Sequence, residues 1–217
     1  MEGIRQWLEK DRVGDKPFTS IICGPRGSGK SVVAKDLFTN VLKDKFDMVV
    51  VFSETLNRMS TESYYELVPH FGGVLFDRFD DDVLRKIGKF QDTFFRKNNF
   101  YLKILLICDD CGKQRFSDGL EDIFIRGRHS FISAIYLCQN ATQLTPSIWN
   151  QSELSVIFRQ MNERSNEFLT KNILGEHLKG KKSDKLSFMM NIEKHNALVI
   201  DSIGGFPIFS RYKAIMS

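Results

Sequence analysis

The chain has 217 residues, of which 42% are hydrophobic and 27% are charged, a composition that is ordinary for one water-soluble globular domain. Its formal net charge of +4 tolerates a polyanionic partner without requiring one. No apolar run approaches the roughly 20 residues of a membrane-spanning helix. The charged start "MEGIRQWLEKDR" has no signal-peptide core, so we expect neither a membrane span nor export.

The first elements alternate between helical and strand-like patterns. Residues 1–16 carry apolar side chains at helical spacing, which predicts a helical arm over 1–17 and one further domain over 18–217. "FTSIIC" at 18–23 predicts a buried strand, "GPRGSG" a turn, and residues 30–43 a helix with one apolar stripe. "DMVVVFS" at 47–53 predicts a second buried strand, and "GVLF" at 73–76 a short third one.

The remaining elements continue the alternation. A helix is predicted from an N-cap at Asp80 to about Lys97, with Val83, Leu84, Ile87 and Phe90 as its apolar positions. Strands "LKILLICD" and "FISAIYLC" flank a helix near 118–127, and "LSVIFRQ" precedes a helix at about 163–174. "HNALVIDS" and "FPIFSRYKA" predict a C-terminal β-hairpin around Gly204-Gly205. The pattern predicts an α/β fold, a parallel sheet with helices on both faces.

A P-loop follows the first strand. Gly24-x4-Gly29-Lys30-Ser31 fits the motif at every position, between a strand and a helix. Backbone N–H groups of such a loop surround an anion, and the helix N-terminus adds partial positive charge. We expect Lys30 to reach the β- and γ-phosphates of ATP and Ser31 to ligate Mg²⁺. The nucleotide-binding residues are then Gly24, Pro25, Arg26, Gly27, Ser28, Gly29, Lys30, Ser31 and Val32.

Arg26 lies inside this loop and permits two interpretations. It can contact phosphate in its own or a neighbouring subunit, or it can be a solvated loop arginine.

Two adjacent carboxylates end the fourth predicted strand. Asp109 stands at the Walker B position, where an aspartate holds Mg²⁺. A second carboxylate, Asp110, suits the orientation or deprotonation of the water that attacks the γ-phosphate. The pair therefore favours hydrolysis. The alternative is that Asp110 is a solvated or helix-capping residue.

Gln139 ends the next apolar run and is a candidate sensor. In the additional-strand class of P-loop ATPases, a strand lies between the P-loop strand and the Walker B strand and ends in a polar residue. Gln139 could hydrogen-bond the γ-phosphate or the attacking water, because ligands gather at the carboxyl ends of parallel strands. The alternative is an ordinary turn residue.

Arg126 and Arg128 precede the sensor strand, and neither has an obvious carboxylate at helical spacing in that loop. An arginine delivered by a neighbouring subunit accelerates hydrolysis by roughly 10³–10⁵-fold. Arg128 is the first candidate for that role and Arg126 the second. The alternative for both is a surface arginine that covers apolar groups. His129 is expected to be a packed loop residue.

The four cysteines Cys23, Cys108, Cys111 and Cys138 are expected to be reduced and structural. "CDDC" has the spacing of half a zinc site, but the sequence offers no second pair of ligands to complete it.

The segments "GPRGSGKS", "VVVFSET", "LLICDDCG" and "RGRHSFISAIYLCQ", in this order, resemble the genome-packaging ATPases of large eukaryotic DNA viruses and virophages. These are the poxvirus-type members of the FtsK/HerA superfamily. The resemblance implies a RecA-like ATPase core that uses ATP and Mg²⁺. It further implies a homo-oligomeric ring that drives double-stranded DNA into a preformed capsid, in contact with portal or vertex proteins. The expected location is the virion or a virus factory in the host cytoplasm.

The same resemblance implies roles for individual residues. Lys30 and Ser31 match the P-loop, Asp109 the metal aspartate, Asp110 the catalytic acid and Gln139 the sensor. Arg128, in the GRH segment, could supply the arginine in trans. The wider superfamily often has glutamate at the second acid, so Asp110 is one methylene shorter than that residue.

Two other classes of function remain open. A P-loop kinase would use Arg126 and Arg128 as a lid and transfer phosphate without DNA. A non-catalytic nucleotide-binding module would tolerate the loss of Asp110.

The basic segment "HLKGKKSDK" at 177–185 is a candidate DNA-contacting loop. It carries Lys179, Lys181, Lys182 and Lys185, opposed only by Asp184, and a ring would repeat it in every subunit. Phosphate contacts of this kind are independent of DNA sequence and sensitive to salt. Arg211 and Lys213 of the closing hairpin are the next candidates.

Overall fold

The computed structural model describes residues 16–42, 44–54, 73–111, 117–174, 181–202 and 208–213, the last of these as backbone. The expected helix of the N-terminal arm and the Gly204-Gly205 turn lie outside these ranges. The division at residue 17 therefore stays a prediction.

One eight-stranded sheet forms the centre of the molecule, in the order β3-β2-β4-β5-β1-β6-β7-β8. The strands β1 to β6 are parallel, and β7 and β8 add an antiparallel hairpin at one edge. This arrangement confirms the predicted α/β fold and the C-terminal hairpin. The strands are β1 Thr19–Cys23, β2 Met48–Ser53, β3 Val74–Phe76, β4 Ile104–Asp109, β5 Ile132–Cys138, β6 Leu154–Phe158, β7 Asn196–Asp201 and β8 Ile208–Lys213.

The helices connect successive strands and cover the sheet. They are α1 Lys30–Leu37, α2 Asp81–Asn98, α3 Asp118–Arg126, α4 Pro146–Asn150, α5 Glu163–Asn172 and α6 Lys182–Met190. A π-helical turn, Phe38–Leu42, continues α1, so the predicted helix over 30–43 is regular α-helix only in its first eight residues. The N-cap at Asp80 is confirmed, since its side chain accepts hydrogen bonds from the backbone N–H groups of Asp82 and Val83.

Strand β5 lies between the P-loop strand β1 and the Walker B strand β4, which confirms the additional-strand arrangement. Cys23 of β1 pairs with Cys138 of β5, and Asp109 of β4 pairs with Leu137 of β5. Because these strands are parallel and in this register, the residues that follow them emerge together. We call this side of the sheet the carboxyl edge.

Apolar side chains bury both faces of the sheet. Ile22 and Leu105 contribute to one core with Leu37 of α1, whereas Ile21 and Leu106 contribute to another with Phe124 of α3. Burial on both sides explains why the parallel strands are near-continuous apolar runs.

Helix α2 departs from its predicted apolar stripe. Phe90 is 43% exposed, whereas its neighbour Gln91 is fully buried. The Gln91 amide donates to the carbonyls of Leu102 and Ser130, both at 2.7 Å, and accepts from the Leu102 N–H. The prediction of Phe90 as a core position is wrong, because this part of α2 buries Gln91, whose amide supplies polar partners to the loop, and turns Phe90 outward.

Candidate functional site

The P-loop is tied to the strand that ends in Gln139. The Gly24 N–H donates to the Cys138 carbonyl at 3.0 Å, and the Ser28 N–H donates to the Pro25 carbonyl at 3.2 Å. Gly27 and Gly29 have φ values of +73° and +112°, in the left-handed region that glycine tolerates without strain. The local sequence thus closes a tight loop at the N-terminus of α1.

Gly24 is required for a different reason, which is space. A Cβ atom at this position would lie 2.6 Å from the Ser28 Oγ and 2.7 Å from the Phe158 Cβ. The loop therefore packs directly against the end of β6. The sequence motif predicts the glycine, but it does not predict Phe158 as the residue that enforces it.

Lys30 lies across the loop. Its Nζ donates to the carbonyls of Gly24 at 2.7 Å and Pro25 at 3.1 Å. Burial lowers the pKa of Lys30, and the neighbouring carboxylates of Asp109 and Asp110 act in the opposite direction. The ammonium group thus donates to carbonyls of the loop and interacts electrostatically with both aspartates. The P-loop and the aspartate pair therefore belong to one site.

The oxygen atoms in this region fit a nucleotide–Mg²⁺ complex. The Ser28 Oγ is buried and has no hydrogen-bond partner among the described residues, so a phosphate oxygen could satisfy it. Ser31 is exposed at the start of α1, and Asp109 is 4% exposed at the end of β4. A hydroxyl and a carboxylate are the hard oxygen ligands that Mg²⁺ prefers.

The two aspartates differ in environment and backbone conformation. Asp109 completes β4, whereas Asp110 is half-buried and has a φ of +51° in the left-handed region. This conformation costs most residues energy, but aspartate tolerates it better than most. The backbone therefore turns after β4, and the Asp110 side chain leaves the chain in a different direction from that of Asp109.

Gln139 and Asp110 are joined directly. The Gln139 Nε2 donates to the Asp110 Oδ1 at 2.5 Å. Gln143 supports the same turn, since its Oε1 accepts from the backbone N–H groups of Gln139 at 2.7 Å and Asn140 at 2.9 Å. The sequence analysis did not identify Gln143. The capping-box spacing from Asn140 to Gln143 is the signal that could have found it.

His195 is a second residue that the sequence analysis missed. Its Nδ1 lies 3.3 Å from the carbonyl oxygen of Ser28, and it precedes β7 with a φ of +64°. Because β7 runs antiparallel to β6, with Ala197 opposite Phe158, its first residues lie at the carboxyl edge. No motif in the sequence signals this contact.

The two candidate arginines lie at the opposite edge. Arg128 donates to the Glu153 Oε1 at 3.2 Å, and the other Glu153 oxygen accepts from the N–H of Thr19, the first residue of β1. The P-loop begins only after Cys23, roughly 13 Å along the strand. This placement argues against an arginine lid over the subunit's own nucleotide, and it leaves open both a role in trans and the alternative of surface arginines.

The expectation that neither arginine has a carboxylate at helical spacing is wrong for Arg126. Arg126 pairs with Asp122 one helical turn earlier, with 3.3 Å between Nε and Oδ1. Helix α3 reaches Arg126 and so brings the two into i,i+4 spacing. Arg128 finds Glu153 from a distant part of the chain, which no local spacing reveals. His129, expected to be packed, is exposed, and so is Arg26 in the P-loop.

Part of the basic segment at 177–185 is helical rather than a loop. Helix α6 begins at Lys182, and the Asp184 carboxylate accepts from the Lys181 N–H at 3.2 Å. Lys182 pairs with Glu167 of α5 at 3.2 Å, so Asp184 is not the sole opposing carboxylate. Lys179 lies outside the described residues, and for Arg211 and Lys213 the description extends only to backbone.

All four cysteines are free and buried. Burial and the adjacent Cys138 thiol raise the pKa of Cys23. The Cys111 thiol donates to the Phe52 carbonyl at 3.3 Å, and its contact with Cys108 together with burial raises its pKa. Within the part of the chain that the structure describes, no three histidine, cysteine or acidic residues are grouped to hold a metal ion.

Comparisons with known proteins agree with this geometry. A family model described as "Poxvirus A32 protein" matches residues 6–203. A curated relative, uncharacterized protein 075L of Invertebrate iridescent virus 6, is 25% identical over 159 residues. That match covers 71% of this chain and 59% of the relative, so the chain spans about three fifths of the relative's length.

Solved structures show the same fold. The genome packaging NTPase B204 of Sulfolobus turreted icosahedral virus 2, in complex with AMPPCP, is 20% identical with a TM-score of 0.69. The match covers 93% of this chain and 99% of B204. The cytoplasmic domain of the type VII secretion ATPase EccC of Thermomonospora curvata is 13% identical with a TM-score of 0.58, covering 90% of this chain and 25% of EccC. Among the described helices, none has the length and apolarity to cross a bilayer.

Proposed function

The chain belongs to the family described as Poxvirus A32 protein, and from this premise we propose that it is an ATPase motor that packages double-stranded viral DNA into a preformed capsid. The proposal is supported by the shared fold of the B204 genome packaging NTPase, which matches nearly the whole of both chains. Hydrolysis rather than phosphotransfer is supported by one observation above all, the hydrogen bond between Asp110 and Gln139.

The P-loop binds the phosphates in this proposal. On nucleotide binding, the Lys30 ammonium exchanges its bonds with the Gly24 and Pro25 carbonyls for bonds with phosphate oxygens. The buried Ser28 hydroxyl gains the partner that it lacks among the described residues. Ser31 and Asp109 would hold Mg²⁺, which when bound neutralises charge that develops on the phosphates.

Asp110 and Gln139 act together on the attacking water. The Gln139 amide N–H group occupies one Asp110 oxygen, which leaves the second carboxylate oxygen and the Gln139 carbonyl as two hydrogen-bond acceptors. Two acceptors can fix both hydrogens of a water molecule and hold its lone pair toward the γ-phosphate. The carboxylate then accepts a proton as the water oxygen bonds to the γ-phosphorus and the bond from that phosphorus to the bridging oxygen of ADP breaks.

A ring supplies the remaining charge. Arg128 lies at the edge opposite the P-loop of its own subunit, so it acts on nucleotide only if a neighbouring subunit presents that edge to the site. Arg126 is the second candidate. We further propose that the ring contacts duplex DNA independently of its sequence and docks to portal or vertex proteins. Its proposed location is the virion or a virus factory in the host cytoplasm.

The test is ATPase activity measured with and without double-stranded DNA, together with the mass of the protein in solution. We expect turnover that duplex DNA stimulates and a mass several times that of one chain. Phosphate transfer to a small acceptor without DNA would instead identify a kinase. Nucleotide binding without turnover, with or without DNA, would identify a regulatory module.

A further inference from the structure

A groove between α5 and α6 lies outside the nucleotide site. Its volume is about 570 Å³, and its charged and polar walls include Arg164, Glu167, Thr170 and Lys171 of α5 with Lys182 and Lys185 of α6. Four of these six side chains are cationic and one is anionic. The groove therefore concentrates positive charge although the chain as a whole carries only +4.

The groove neutralises only part of its own positive charge. Glu167 pairs with Lys182, and both side chains are largely exposed to solvent. Among the described residues, no carboxylate pairs with Arg164 or Lys171. The Thr170 residue is 3% exposed, and its hydroxyl oxygen lacks a hydrogen-bond partner in the described part of the chain. That oxygen is closed off from solvent, so an external anion would meet the charged side chains of the groove rather than this hydroxyl.

The groove is also connected to the catalytic residues. Thr142, which contributes to its wall, belongs to the short 3-10 turn Ala141–Gln143 that follows β5. The side chain of Gln143 in this turn holds the backbone N–H of Gln139, whose amide contacts Asp110. Only Asn140 and Ala141 thus separate Thr142 in the groove wall from Gln139, which we assign to the attacking water.

From this placement we infer that the groove between α5 and α6 binds the phosphate backbone of duplex DNA, with Arg164 and Lys171 as its principal contacts. The inference rests on the proposed packaging function. It goes beyond the basic segment at 177–185, because Arg164 and Lys171 lie on a different helix. Because Thr142 of the groove wall belongs to the turn that holds Gln139, DNA bound in the groove can shift this turn and so stimulate hydrolysis.

The spacing of the two cations fits a polyphosphate rather than a single anion. Arg164 and Lys171 are seven residues apart on α5, which places them on the same helix face and about 10 Å apart along its axis. Each strand of duplex DNA carries one phosphate charge per 3.4 Å of helix axis, so two long cationic side chains about 10 Å apart can meet different phosphates.

The experiment compares duplex binding across a salt titration, from about 50 to 200 mM. The test variant is Arg164→Gln/Lys171→Gln. The matched control, Lys86→Gln/Lys97→Gln, also removes two exposed positive charges, from α2. We expect the test variant to bind about tenfold more weakly at the low-salt end. Its salt slope should be shallower by about 0.9 for each lost phosphate contact, whereas the control keeps the wild-type slope.

Turnover provides the second measurement. Basal ATPase activity should be unchanged in the test variant, DNA stimulation should be lost, and the charge-conserving Arg164→Lys/Lys171→Arg variant should retain both. DNA affinity and slope equal to wild type would overturn the inference alone. An acidic peptide serves as a second probe. If the test variant no longer bound this peptide but still bound DNA as the wild type does, the inference would be overturned in favour of a protein partner. Failure of the wild-type protein to bind duplex DNA would overturn the packaging function itself.

Discussion

The Gln139 amide nitrogen lies 2.5 Å from the Asp110 Oδ1, although the two residues are 29 positions apart in the chain. The contact exists because β4 and β5 are adjacent and parallel, so both residues follow their strands at the carboxyl edge. An amide that donates to a carboxylate fixes the orientation of both groups. The same contact couples the second Walker aspartate to the candidate sensor.

We predict that Asp110→Asn keeps ATP–Mg²⁺ binding but lowers turnover at least ~10²-fold, the lower range for loss of a positioned general base. The amide retains the size of the carboxylate but cannot accept a proton. Binding of ATP and single-turnover hydrolysis, measured separately, distinguish the two effects. Wild-type turnover in this variant would leave Asp110 without a catalytic role.

Lys30→Ala should abolish nucleotide binding, since it removes the charge that faces the β- and γ-phosphates. The pH dependence of the wild type gives a second readout. Burial lowers the pKa of Lys30 from its ordinary value of 10.5, so the free protein loses this proton at a lower pH than a solvated lysine does. Phosphate binding favours the protonated amine, and ATP affinity should therefore fall as the pH rises toward 10.5.

Equilibrium titrations with ATP from neutral pH upward measure this effect, with Lys30→Met as the comparison. The methionine variant should bind weakly at every pH and lack the alkaline decline. A decline of equal size in both proteins would assign the titration to another group.

Gly24→Ala should weaken nucleotide binding at least about tenfold, because the added Cβ would lie 2.6 Å from the Ser28 Oγ and displace the loop. We expect a loss of stability of about 1–3 kcal/mol, the usual cost of overpacking. Gly88→Ala is the matched control. Its Cβ meets no atom within 4 Å, and alanine in a helix should raise stability by about 0.5–1 kcal/mol. Calorimetry and ATP titration compare the two variants.

If Arg128 acts in trans, mixing Arg128→Ala subunits with Asp110→Asn subunits should restore part of the hydrolysis. A mixed interface then contains one intact site, with the Walker acid from one subunit and the arginine from the other. Arg126→Ala mixed in the same way tests the second candidate. Demonstrably mixed rings that show no recovery at any ratio would count against the assignment.

Gln91→Leu should lower the free energy of unfolding by at least ~2 kcal/mol, because two carbonyl oxygens and one N–H lose their partner. Phe90→Leu, at the neighbouring and more exposed position, keeps an apolar side chain beside Phe94 and should change it by less than about 1.5 kcal/mol. Denaturant titrations of both variants check the pair. Equal effects would mean that the amide contributes no more than the exposed ring.

The sequence predicts most of this site because its parts are local. The P-loop, the Asp109-Asp110 pair and Gln139 each follow an apolar strand, and the parallel sheet brings strand ends together without further information. The positions of the arginines could not be predicted in this way. Arg128 meets Glu153 through the alignment of β5, β1 and β6, and no spacing within the α3–β5 loop encodes that contact.

Helix α2 shows the same limit in the core. Hydrophobic periodicity assigns Phe90 to the interior, but the loop carbonyls of Leu102 and Ser130 require a hydrogen-bond donor there. Periodicity registers apolar area only. It does not detect backbone N–H and C=O groups that a distant loop places against the helix. Gln91 supplies the hydrogen-bond partners of those groups.

The burial of all four cysteines makes the protein ready for site-specific labelling. Thiol reagents react with exposed thiolates, and buried thiols are inert to them. A single cysteine introduced at an exposed position such as Lys97 would therefore carry a fluorophore without removal of the native residues. Energy transfer between labelled copies would then report whether subunits assemble, and fluorescence would follow the labelled protein during ATP turnover.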